Sequence, residues 1–159
     1  MGVTVLFEYF VEFDAPYKNK VVLENGALHC KYAKAVYDPE KLFLISNIHS
    51  EITLCFSLDD NYLVGAQSGT LDLDLLPKAE IIIPDCMDGK LRAKCMDYVY
   101  LSYCEYLDFV SEAVCYDVES RRVAFGDPSK AQLTVRVCEN LCVSLDGCGQ
   151  LISIIIQLD

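Results

Sequence analysis

The chain contains no tryptophan and only two histidines, His29 and His49. The lack of Trp weighs against a stacking platform for sugars, and glycosidase chemistry would need two acids facing each other across a cleft. With two histidines and no C-x2-C pair, the common zinc patterns are absent. Cys138, Cys142 and Cys148 are spaced C-x3-C-x5-C, which matches none of them. His49-Ser50-Glu51 followed by Pro84-Asp85-Cys86 has the order of a zinc deaminase but lacks its P-C-x-x-C run. Asp59-Asp60-Asn61 could open a calcium loop, yet no Gly or Glu follows at EF-hand spacing. No metal and no cofactor is expected. P-loop, G-x-G-x-x-G and G-x-S-x-G motifs are also missing.

Basic residues are scarce. Thirteen Lys and Arg stand against twenty-four Asp and Glu, for a formal net charge of −11. That balance excludes binding to nucleic acid through phosphate neutralisation. It also excludes attraction to an anionic membrane surface. No run approaches the ~18 apolar residues that a spanning helix needs. The opening residues lack a basic segment, and Glu8 interrupts their apolar run, so no secretory leader is expected. Nine cysteines, an odd number, then point to reduced thiols in the cytoplasm rather than a disulfide scaffold.

What is present is apolar and β-favouring. Hydrophobic residues make up 53% of 159 positions, enough for one globular domain spanning 1–159 with its own core. A phrase repeats: Leu54-Cys55-Phe56-Ser57-Leu58-Asp59 returns as Leu141-Cys142-Val143-Ser144-Leu145-Asp146. Val36-Tyr37-Asp38-Pro39-Glu40 has a partner in Cys115-Tyr116-Asp117-Val118-Glu119. Together they suggest a duplicated β-unit with halves near 20–85 and 100–159. Asn25-Gly26 between apolar runs is a hairpin signal, because both turn positions need positive φ. Strands are expected over 3–13, 20–23, 27–30, 42–48, 52–58 and 62–66. Thr70-Leu71-Asp72-Leu73-Asp74-Leu75 alternates with period two and reads as a strand with one acidic face. Ile81-Ile82-Ile83 reads as a short buried strand stopped by Pro84. Strands resume at 122–125, 131–138 and 141–146. Residues 150–158 are apolar enough to require a central or doubly covered position.

Between these runs the period changes. Over 93–114 a helical wheel gathers Lys94, Asp97, Ser102, Glu105, Asp108 and Glu112 within an arc of roughly 140°. One long amphipathic helix is therefore expected, packed on a mostly antiparallel sheet built from hairpins, which is an α+β fold.

Three functional readings follow. The first is a non-enzymatic acidic module that binds a basic protein partner, in the manner of an inhibitor or immunity-type protein capping a nucleic-acid-binding or nuclease-like site. Its contact residues are Asp72 and Asp74 on the strand and Asp97, Glu105, Asp108 and Glu112 on the helix. Ten tyrosines would supply contact area beside these acids. The second is a small-molecule-binding or oligomer-forming β-rich protein, with a tyrosine-lined pocket between sheet and helix. The third is a cysteine-dependent enzyme, with His49 near Cys55 or Cys86 as the pair to inspect. Arg121-Arg122, joined by Lys130 and Arg136, could hold a carboxylate or phosphate.

Overall fold

The structure is a computed structural model that describes residues 2–3, 6–11, 20–31, 42–46, 51–57, 60–94, 106–107 and 114–158. The Asn25-Gly26 signal holds. Asn25 has φ 51° and Gly26 φ 81°, and they join β3 (Lys20–Glu24) to β4 (Ala27–Lys31). Two further antiparallel strands, β5 (Leu42–Ser46) and β6 (Ile52–Ser57), lead into β7 (Leu63–Thr70). These five form one sheet in the order β3-β4-β7-β6-β5.

The second sheet is built from β10 (Val114–Asp117), β11 (Arg122–Phe125), β12 (Leu133–Cys138), β13 (Leu141–Leu145) and β14 (Leu151–Gln157). Their order is β10-β11-β14-β13-β12, the same path as in the first sheet. The repeated phrase falls on β6 and β13, which occupy the same place in that path. The second sheet is then extended past β12 by β8 (Cys86–Ala93), which runs parallel to it, and by β2 (Phe7–Val11). A separate parallel pair joins β1 (Gly2–Val3) to β9 (Tyr106–Leu107).

The two sheets pack around one apolar core. Alternation along each strand selects the residues: Ile52, Leu54 and Phe56 from β6 meet Leu141, Val143 and Leu145 from β13 in a single cluster. Two thiols donate across the gap, Cys138 Sγ to Val64 O at 3.5 Å and Cys30 Sγ to Asn140 O at 3.8 Å. β14 lies between β11 and β13, as its composition requires. Ile154 and Ile156 enter the shared core, while Ile155 faces outward into a second cluster with Ile81, Ala124 and Cys142.

The α+β expectation is overturned. The fold is nearly all β, and among the described residues no helix reaches seven residues. Within 93–114, Ala93 ends β8, Tyr106–Leu107 form β9 and Val114 begins β10. The parallel register of Tyr106 with Gly2 is a long-range pairing, and it overrides the local 3.6-residue pattern. Asp97, Glu105, Asp108 and Glu112 lie outside the described residues, as does His49. The strand expected at 70–75 also fails. β7 stops at Thr70, and Asp72 Oδ1 accepts from the Asp74 amide at 3.1 Å to make a turn. Among the described residues no helix is long and apolar enough to cross a membrane.

Candidate functional site

After β7 the chain does not return into a sheet at once. Residues 71–85 form a strap that reaches the outer face of the second sheet before entering β8. Its first turn is closed by Lys78, whose Nζ donates to the carbonyls of Leu73, Leu76 and Asp74 at 2.6, 2.7 and 3.1 Å. Residues 77–79 then run along β10. The Tyr116 amide donates to Pro77 O at 2.9 Å, and the Ala79 amide to Tyr116 O at 3.3 Å.

Ile81 is pinned at both polar ends of its backbone. Its amide donates to Asp117 Oδ2 at 3.0 Å, and its carbonyl accepts from Arg122 Nη1 at 3.1 Å. Asp117 and Arg122 face each other across the β10–β11 hairpin, so one cross-strand pair holds the strap. The Ile81 amide, with donors from Ser120 and Glu119, holds the Asp117 carboxyl below the usual aspartate range. Pinning drives the Ile81 side chain down onto Ala124, Cys142 and Ile155. The next side chain, Ile82, is left 68% exposed, and Leu75 earlier in the strap is 81% exposed. Asp72, Asp74, Glu80 and Asp85 on the same strap are all exposed. Of the six acids expected to form a contact surface, the structure therefore describes Asp72 and Asp74, in a turn folded around Lys78 and not on a strand face.

Under the far end of the strap lies a groove of about 560 Å³. Ile83 and Pro84 line it from the strap, Cys142 and Ile155 from the sheet, and Arg122, Arg136 and Gln157 flank them. No tyrosine lines it, so the expected tyrosine pocket between sheet and helix is not what forms here. Arg136 is committed to Asp88 through two contacts, Nε to Oδ1 at 2.7 Å and Nη2 to Oδ2 at 3.2 Å. This pairing holds the Asp88 carboxyl low. Arg121, in the turn with φ 58°, does not line the groove.

The groove marks a difference between the two sheets of like path. Arg136 stands opposite Cys142 where Leu44 stands opposite Cys55. Arg122 stands opposite Gln157 where Ala27 stands opposite Thr70. The guanidinium groups belong to the second sheet alone at these positions. Sequence reading offers Arg122 and Arg136 as holders of a carboxylate or phosphate, but not the groove itself, whose residues come from the strap, five strands and a turn.

The thiols are mostly quiet. Burial pushes Cys142 up to about 12, against the opposing pull of Arg136 and Arg122. Burial also pushes Cys138 up to about 12 and Cys55 up to about 11. Cys86 and Cys148 are exposed. Among the described cysteines, brief alkylation with iodoacetamide at neutral pH is expected to label Cys86 and Cys148 first. Cys55, Cys138 and Cys142 should react only after unfolding, as mass mapping of the modified peptides would show. Early labelling of Cys55 would restore it as a candidate nucleophile. Among the described residues no three His, Cys, Asp or Glu side chains gather at metal-binding distance. Comparison with models of known protein families gives no match, and neither does comparison with characterised proteins.

Proposed function

We propose that the protein is a non-enzymatic binding module of the cytoplasm that docks a basic protein partner through the outer surface of the strap. One observation carries this reading. Leu75 and Ile82 are large apolar side chains held in solvent on a segment whose backbone is fixed from beneath. Exposed Leu or Ile is common singly, but two on one pinned strap, among Asp72, Asp74, Glu80 and Asp85, make an apolar centre with an acidic rim. Val118, 58% exposed, and Glu119 continue the surface at the adjoining β10–β11 turn. Lys78 keeps its positive charge, but the acids Asp72, Asp74, Glu80 and Asp85 outnumber it on the strap.

The net charge of −11 would speed encounter with a cationic partner and make it depend on salt. Free thiols at Cys86 and Cys148 suit a reducing compartment. The acids at Asp97, Glu105, Asp108 and Glu112 remain part of the reading as further sources of negative charge.

The test uses a fluorescent amphipathic peptide carrying both Lys and Leu side chains, followed by anisotropy. Affinity is expected to fall about tenfold or more between 50 and 300 mM salt, by analogy with steered charge pairs. The double variant Leu75→Ser, Ile82→Ser is expected to bind about tenfold more weakly. Its thermal midpoint should stay within about 2 °C, because both side chains are already in water. Binding that ignores salt, or a double variant as tight as the parent, would sink the proposal.

A further inference from the structure

Arg122 differs from the other paired arginines. Arg136 has Asp88 and Arg92 has Glu8 as counter-ions, at 2.7 and 2.8 Å. Arg122 instead donates to two neutral oxygens, Nε to Gln157 Oε1 at 3.0 Å and Nη1 to Ile81 O at 3.1 Å. Among the described residues no carboxylate lies within ion-pair distance of it. Gln157 is itself fixed, its Nε2 donating to the carbonyls of Ser120, Arg121 and Leu158 at 2.6, 3.2 and 3.3 Å. The amide oxygen is thereby turned toward Arg122. The result is a half-buried guanidinium oriented by neutral acceptors, with Nη2 left over, on the wall of an open groove. A cation partly removed from water and given no counter-ion is unfavourable unless something supplies one.

The geometry points to a ligand site in this groove for a small monocarboxylate with an apolar tail, the carboxylate on Arg122 and the tail between Ile83 and Pro84 of the strap and Ile155 of the sheet. The surroundings select the charge. Asp85 and Glu139 also line the groove, and Arg136 is already neutralised by Asp88. One uncompensated positive charge amid further acids suits a single negative charge and disfavours a doubly charged phosphate. The walls select the tail, because Ile83, Pro84, Cys142 and Ile155 offer it apolar contact over a volume of about 560 Å³. This site lies beneath the strap, on the face opposite the docking surface, and shares with it only Asp85 and the bond from Arg122 to Ile81 O.

Calorimetric titration of the full chain with octanoate tests the assignment, with inorganic phosphate and octanol as parallel arms. Octanoate is expected to bind saturably, and octanol and phosphate each about tenfold more weakly or not at all. Arg122→Gln should weaken octanoate about tenfold or more. Arg92→Gln, on an exposed arginine paired with Glu8, should leave it unchanged. Because Arg122 also holds the strap, a second variant guards against loss of structure. Ile83→Glu places a negative charge on the groove wall without removing any hydrogen bond recorded at Arg122, and it should repel octanoate while the thermal midpoint holds. Octanol binding as tightly as octanoate, phosphate binding more tightly, absence of saturation, or either groove variant retaining parental affinity would overturn the assignment.

Discussion

Phe56→Ala should be the most damaging single truncation, costing about 3–5 kcal/mol. Phe56 is completely buried near the end of β6, and its ring stacks on Phe7 with centroids 6.1 Å apart and planes 16° from parallel. Phe56 belongs to the five-stranded sheet and Phe7 to β2 of the seven-stranded one. The pair therefore fastens one sheet to the other, and truncation leaves a cavity between layers that neither sheet can close alone. Against a total stability of about 5–15 kcal/mol, that loss would leave the fold marginal. Urea unfolding should show a lower midpoint with an unchanged slope. Phe56→Leu, which keeps most of the apolar volume, should lose less than half as much. A midpoint for Phe56→Ala within about 0.5 kcal/mol of the parent would mean that the inter-sheet contact is not as described.

Gly126→Val is the second, with an expected cost of about 3 kcal/mol or more. Gly126 follows β11 with φ 85°, a conformation that a β-branched side chain resists. Space is lacking as well. A Cβ at this position would collide with the backbone carbonyl of Ile152. Ile152 is the extra residue where the β13–β14 register shifts, between Ser144 opposite Ser153 and Leu145 opposite Leu151. The bulge and the glycine thus interlock, backbone to backbone, so no side-chain rotation can relieve the contact. The neighbouring 3-10 turn, Pro128–Lys130, is set by Asp127, whose carboxylate accepts from the Ser129 amide at 3.0 Å. Thermal unfolding would measure the loss, and Gly126→Ala should fall between parent and Val. Equal stability of all three would remove the argument from crowding.

What could be read in the sequence was local. Asn25-Gly26 announced its turn because the turn type depends on two adjacent residues. Asp60, Asp72, Asp117, Asp127 and Asp146 each accept from the amide two residues on, which is the reason aspartate collects at turns. The apolar run of β14 correctly demanded cover on both faces. What could not be read depended on distant partners. The wheel over 93–114 ignored that Tyr106 and Leu107 are placed by Gly2 and Val3. Tyrosine at 98, 100, 103 and 106 favours strands as readily as a packed helix. Asp72 and Asp74 alternate as a strand would, but a side-chain bond to the next-but-one amide competes with the ladder and wins where Lys78 can close the turn. Of the Arg122 groove only the arginines could be singled out, as Arg121-Arg122 with Lys130 and Arg136; its walls could not, because Ile83, Arg122, Cys142 and Gln157 are brought together only by the sheet and strap.

The shared strand order has a kinetic consequence. In each sheet the second strand pairs with the fifth, β4 with β7 and β11 with β14. The hairpins β3–β4, β10–β11 and β12–β13 close over short loops and can form in microseconds. The pairings that complete the sheets must wait while a chain segment holding two other strands is organised, and the entropy of that closure comes before its reward. Refolding is therefore expected on the slow side for a chain of this length. During that interval the Ile-rich edge of β14 is the surface most in need of protection from other chains.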